Sequence, residues 1–228
     1  MIALRIDDFG ASSKQYEVYS LTQWANVGPL KRLRPFKAWG PYPEMPASLL
    51  HSLLGEIERA GSRVTLGITA CWVERDGRQV AYPTKFPLHA EVVKTWIGRG
   101  VVEVANHGLT HCRVGQHRPK FWTGNRAAHR EFTPDVSLAE ASNHLLRSQQ
   151  IFRGWLDKEP AVLIPPGRMF PAKFMDAARL AGLKVWTRFD DEKCLAFHDK
   201  DFLESDGFAR LRRALGEAKY VTCGEVLA

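Results

Sequence analysis

Apolar positions along this chain follow two periods that alternate with one another. Short runs rich in β-branched residues read as strands at 3–6, 63–69, 101–105, 161–164, 184–187, 194–197 and 220–223. Between most of them the apolar spacing is helical. Leu49, Leu50, Leu53, Leu54 and Ile57 give residues 47–60 one apolar face, with Pro46 at the start and Gly61 at the end. Val92, Val93, Trp96 and Ile97 do the same for 88–99. Ser137-Leu138-Ala139-Glu140 is a capping box that opens a helix running to about residue 156. Pro171 starts a helix that Gly182 ends, and 201–215 is the last long one. Seven strands alternating with helices predict an α/β fold, a parallel sheet with helices outside, close in strand count to a (β/α) barrel. No repeat, low-complexity tract or linker interrupts the pattern, so 1–228 reads as one domain.

Two stretches lack a period. Residues 10–46 carry Tyr16, Tyr19, Trp24, Phe36, Trp39 and Tyr42 with a basic knot at Lys31, Arg32 and Arg34; residues 14–24 are expected to be helical. Residues 112–134 set Phe121-Trp122 among Arg113, His117, Arg118, Lys120, Arg126, His129 and Arg130. Long irregular segments are often binding elements. Here aromatic faces would stack on a substrate ring, and Arg118 and Lys120 would grip an anionic group on it. Residues 73–87, with Asp76-Gly77, read as a small hairpin.

The chemistry-bearing residues share one topological address. Asp7-Asp8 follow the first strand, and His107 and His111 follow the third. Pro165-Pro166-Gly167-Arg168 follow the fourth, Trp186 to Asp191 surround the end of the fifth, and His198 follows the sixth. In a parallel barrel all strand C-termini gather at one rim, where active sites form. One helical turn after Asn106 would put both imidazoles on one face. One aspartate with two histidines makes a three-ligand site with room for water and substrate, suited to one divalent transition-metal ion, zinc first among them. A second carboxylate could act as base and a histidine across the cleft as acid, giving metal-assisted hydrolysis of an amide or ester.

Composition narrows the alternatives. Four cysteines stand apart without a CxxC pair, so neither a zinc ribbon nor a redox motif is indicated, and scattered thiols fit a reducing compartment. The N-terminal residues lack the basic n-region of a signal peptide, and no run approaches the roughly 18 apolar residues of a membrane span. The expectation is a cytoplasmic protein without membrane insertion. The net charge of +7 permits an anionic partner, but it is spread along the chain, and nucleic acid is not expected. His51, His89 and His144 lie in helical stretches and read as structural or solvent-facing.

The same residues resemble the polysaccharide deacetylases. Arg5-Ile6-Asp7-Asp8-Phe9-Gly10 is similar to that family's first motif, and Asn106-His107-Gly108-Leu109-Thr110-His111 to its second. Pro165-Pro166-Gly167 is similar to the third and Leu195-Ala196-Phe197-His198-Asp199 to the last. The resemblance implies a distorted (β/α) barrel, often of seven strands. It implies Asp7 as general base, Asp8, His107 and His111 as metal ligands, His198 as general acid, and removal of an acetyl group from a sugar. Pro166, Gly167, Arg168, Trp186 and Trp122 are then the expected substrate contacts. With a cytoplasmic site, the substrate would be an acetylated amino sugar or sugar precursor of surface-polysaccharide or lipopolysaccharide synthesis. Two departures stand out. Ile164 occupies the place of the arginine that precedes the third-motif prolines, and Arg168, partnered by Asp190 or Asp191, is expected to replace it. Gly108 stands where the second motif has Ser or Thr. The Asp-Asp-Phe-Gly opening is also close to that of small chitooligosaccharide deacetylases. The missing arginine favours a rival reading, a sugar-binding protein on the same fold without catalysis.

Overall fold

In the computed structural model, which describes residues 1–118, 121–122, 130–204 and 206–228, the sheet begins with the chain itself. Strand β1 (Ile2–Phe9) leads through helix α1 (Ser13–Tyr16) to a small antiparallel pair, β2 (Tyr19–Ser20) and β3 (Lys37–Trp39). Helix α2 (Ala47–Arg59) returns the chain to β4 (Val64–Ile68). The predicted hairpin is present as β5 (Cys71–Val73) and β6 (Gln79–Ala81). Helices α3 (Tyr82–Lys85) and α4 (Pro87–Gly98) precede β7 (Val102–Asn106), and α5 (Leu138–Leu156) precedes β8 (Val162–Leu163). Then come α6 (Met175–Leu180), β9 (Lys184–Val185), β10 (Cys194–His198), α7 (Gly207–Glu217), β11 (Tyr220–Val221) and α8 (Cys223–Leu227).

Seven of these strands form one parallel sheet in the order β10-β1-β4-β7-β8-β9, with β11 also pairing to β1. They are the seven strands the sequence pattern predicts. Parallel pairing in a curled sheet brings the strand C-termini to one rim, so Asp7 on β1 lies directly beside His198 on β10. Side chains alternate across the sheet. Leu4, Ile6, Val64, Leu66, Ile68, Val102, Val104 and Phe197 face outward and build the main core with α2 and α4. The inward set includes Ala3, Ala105, Val162, Ile164, Cys194 and Ala196, which pack in one buried cluster with the Trp186 indole. Above that layer the same inward parity carries Arg5, Asp7, His107 and His198.

The expected helix over 14–24 is one turn only. The Lys14 carbonyl, which would continue it, accepts instead from the Tyr42 N–H at 2.9 Å. All four cysteines are free and buried, in keeping with a core role. Among the described residues no helix is long and apolar enough to cross a membrane.

Candidate metal centre and active site

Asp8, His107 and His111 meet at the rim, buried, with one ligand atom of each lying within 4.8 Å of the others. Asp8 Oδ1 is 3.2 Å from Nε2 of both histidines. Ligand atoms about 2.0–2.1 Å from a tetrahedral ion stand roughly 3.3 Å apart, so the spacing fits one small divalent cation. The tautomers fit as well. His107 Nδ1 is 2.7 Å from the Ile164 carbonyl, which can only accept, so Nδ1 carries the proton and Nε2 offers its lone pair. His111 Nδ1 meets Ser13 Oγ at 2.9 Å, and its Nε2 is buried without a hydrogen bond. Burial opposes charge on Asp8, but the adjoining His107 and His111 imidazoles, in their protonated form, outweigh it and hold the carboxyl well below the usual range.

The two histidines do not converge through a helical turn. Gly108 has φ 84° and His111 φ 56°, so the segment folds back as an irregular loop. A buried carboxylate supports it from beneath. Glu131 Oε1 accepts from the Leu109 N–H at 3.0 Å, and Oε2 accepts from those of Thr110 at 3.1 Å and His111 at 2.9 Å. His144 Nδ1 lies 2.7 Å from Oε1 on the other side. A Cβ on Gly108 would stand 2.2 Å from Glu131 Oε2. Glu131 thus fills the space that a side chain at 108 would need, and the positive φ favours glycine there as well. Asn106 ties the loop to α5, with Nδ2 donating to Ser148 Oγ at 2.7 Å while its Oδ1 accepts from the Gly108 N–H at 2.9 Å. On the far side Lys14 Nζ, buried against Asp199 and Glu44, donates to the Asp8 carbonyl at 2.8 Å and steadies a residue with φ 74°.

Asp7 stands beside this triad. Its Oδ2 is 3.0 Å from the Arg5 guanidinium, while Oδ1 is buried without a partner. Arg5 lies two residues earlier on β1 and so on the same face. The arginine paired with Asp7 thus comes from the first strand, while Arg168 lines the cavity. Asp190 binds Arg210 at 2.9 Å and Asp191 meets Arg188 at 3.3 Å. Close approach to Asp7 also explains a glycine on β4: a Cβ on Gly67 would lie 2.9 Å from Asp7 Oδ1.

His198 faces Asp7 across the β1–β10 pairing. Its ring packs edge-on to Trp39 and against Phe189, at centroid distances of 6.0 and 5.4 Å. Burial opposes its charged form, but the Asp201 carboxylate, 3.7 Å from Nδ1, and the charges of Asp8 and Asp7 raise its pKa above the ordinary value. These groups line one cavity of about 360 Å³ together with Arg5, Glu17, Tyr19, Trp39, Arg130, Pro165, Gly167, Arg168, Met169 and Phe189.

The substrate expectations divide. Gly167 and Arg168 line the cavity. Pro166 is buried beneath the 107–111 loop, its Cγ 2.8 Å from where a Gly108 Cβ would be, and Pro165 takes the lining position. Trp186 is corrected to the core: it is 2 % exposed and donates Nε1–H to the Arg188 carbonyl at 2.9 Å. Trp122 is 70 % exposed, packs edge-on against Phe121 at 4.6 Å and does not line the cavity. Arg118 donates to the Arg75 carbonyl at 2.7 Å, away from the cavity. Lys120, Arg126 and His129 lie outside the described residues. The aromatic wall comes instead from 10–46, through Tyr19 and Trp39.

Residues 44–186, more than half of the chain, match the sequence profile of the polysaccharide deacetylases. The chain belongs to the polysaccharide deacetylase family. No curated protein matches it. Solved structures of this family's barrel are similar in fold. The family 4 carbohydrate esterase from Streptomyces lividans has a TM-score of 0.53 at 15 % identity, over 94 % of this chain and 85 % of that one. The peptidoglycan deacetylase PdaC from Bacillus subtilis scores 0.56 at 13 % identity, over 99 % and 88 %. A family 4 pseudoenzyme from Bacillus anthracis scores 0.57 at 13 % identity, over 100 % and 65 %. The sheet described above is the distorted (β/α) barrel of these deacetylases.

Proposed function

We propose that this polysaccharide deacetylase hydrolyses the acetyl group of an N-acetylated sugar with the help of one divalent ion, zinc by preference, held by Asp8, His107 and His111. The observation that carries the reading is the pairing of Asp7 with Arg5 beside that triad. One oxygen of the carboxylate is fixed by a guanidinium, and the other is buried and aimed at no protein donor. The bound ion would supply Lewis acidity, lowering the pKa of water and polarising the acetyl carbonyl. Asp7 takes the proton from the attacking water through Oδ1, and Arg5 holds the carboxylate in that orientation. His198, biased toward its protonated form by Asp201, gives a proton to the leaving amine. Tyr19, Trp39 and Phe189 shield the cleft, and the two rings of the 10–46 segment supply an aromatic wall for a sugar. We place the activity in the processing of a surface-polysaccharide precursor, which suits a cavity the size of a small-ligand pocket.

With Arg5 in place, the missing third-motif arginine no longer favours a non-catalytic sugar-binding protein. The test is Asp7→Asn in the zinc-loaded protein. It should keep its metal and lose most acetate release from acetylated amino sugars. Undiminished turnover would remove Asp7 as the base.

A further inference from the structure

We propose that Lys14 is a positioning residue that fixes the proposed acid, His198, against the metal ligand Asp8. The proposal rests on the reading of Asp8, His107 and His111 as a metal site and of His198 as its acid. Strands β1 and β10 pair in parallel as far as Asp7 and His198, the last rung of their ladder. The next residues, Asp8 and Asp199, lie past it. Asp8 departs from strand geometry, with φ 74°, and on its other side the β1–β4 register shifts between Ile6 and Phe9. The paired register therefore ends where the ligand and the acid must be held relative to one another.

Lys14 supplies the missing rung. Its ammonium donates to the Asp8 carbonyl at 2.8 Å and to the Asp199 carboxylate, so one group grips both chains a residue beyond their pairing. Glu44 Oε2 lies 2.7 Å from the same nitrogen, while Glu44 Oε1 accepts from the Gly10 N–H at 3.1 Å and ties the far side of the Asp8 turn into the clamp. Lys14 and Asp199 are fully buried and Glu44 nearly so. Burial opposes the charge on Lys14, but Asp199 and Glu44 raise its pKa above the ordinary lysine value, so the clamp stays cationic. An ammonium sealed between two carboxylates is a poor source of stability, because desolvation offsets much of the attraction. Here the same cluster fixes a geometry. Its mounting is short and braced: Lys14 belongs to α1, where the neighbouring Ser13 meets His111 Nδ1 at 2.9 Å and the Lys14 carbonyl accepts from the Tyr42 N–H. One helical turn thus touches two of the three metal ligands and the residue next to the acid.

The experiment compares the wild-type chain with two variants. Lys14→Met keeps the length of the side chain without its charge or donors. Lys14→Met/Glu44→Gln also removes a buried carboxylate left without its cation, while Oε1 can still accept from Gly10. The readouts are zinc affinity by chelator competition, the paramagnetic shift that bound cobalt induces on the His198 ring protons (assigned with His198→Gln), and the melting temperature of the metal-free protein. Lys14→Met should bind zinc about tenfold more weakly and show a displaced His198 shift. The double variant should recover melting temperature and neither of the other two. An unmoved His198 shift in Lys14→Met, or a zinc affinity and a shift that return to wild type once the melting temperature does, overturns the proposal and leaves Lys14 as fold support. If neither methionine variant folds, Asp199→Asn decides. It keeps the Lys14 bond to Asp8 and weakens only the grip on the 198–199 turn, so zinc affinity should stay within twofold while the His198 shift moves; an unmoved shift overturns the proposal. Acetate release from N-acetylhexosamine glycosides separates this from the reading beneath it. Lys14→Met should lower kcat about tenfold with KM little changed. Wild type that shows the cobalt shift at His198 yet releases no acetate sinks the deacetylase assignment and leaves the Lys14 result standing, whereas wild type that binds neither zinc nor cobalt removes both.

Discussion

Replacing Glu131 with glutamine tests whether this carboxylate holds the metal loop. The side chain is fully buried, and its two oxygens serve three backbone amides and His144. A carboxamide of the same shape has only one acceptor oxygen. The least costly orientation keeps that oxygen under Thr110 and His111 and turns the NH₂ toward Leu109 and His144. His144 can change tautomer and accept, but the Leu109 N–H then faces another donor. One buried amide left unsatisfied costs about 1–3 kcal/mol. If that cost falls on the loop that presents His107 and His111, zinc affinity drops by roughly 5- to 150-fold, at 1.4 kcal/mol per tenfold. Alanine would strand all three amides and open a cavity, threatening a domain of typically about 5–15 kcal/mol stability, so glutamine is the informative variant. The assay is zinc dissociation measured by chelator competition, with a thermal melt of the metal-free protein alongside. Weaker zinc binding is the expected result. A melting temperature that falls while zinc affinity stays within twofold of wild type would refute the reasoning and leave Glu131 as general fold support.

Two further outcomes follow from the same geometry. Arg5→Gln should lower kcat by roughly ten- to a hundredfold, as loss of an orienting partner does, with zinc content intact and KM little changed; a matching rise in KM instead would make Arg5 a substrate contact. Asp201→Asn removes a carboxylate that favours the imidazolium of His198. A proton donor is lost as pH rises through its pKa, so with equal zinc loading the alkaline limb of the kcat profile should move to lower pH. An unmoved limb would show that His198 does not set it.

Much of this fold is legible in the sequence because the seven strands and their helices differ in period, and a parallel sheet needs little else. The rim chemistry is legible for the same reason: Asp7, Asp8, His107 and His198 stand at strand ends that topology alone gathers. Arg5 escapes notice because an inward arginine in a short apolar strand looks like a solvent-facing one until its neighbour Asp7 is known to line the cavity. Glu131 escapes because it reaches the metal loop from 20 residues beyond His111, out of a stretch with no period. Its one signal is the unexplained Gly108. Trp186 misleads in the opposite sense. An indole near a motif reads as a cleft wall, but this one packs with the small inward residues at 3, 105 and 196 and does not line the cleft.

The most direct test of the account is a zinc titration of chelator-stripped protein, wild type beside His107→Ala, by calorimetry. The account predicts one ion per chain in the wild type and loss of that site in the variant. No binding to the wild type, or equal binding to both, would contradict it.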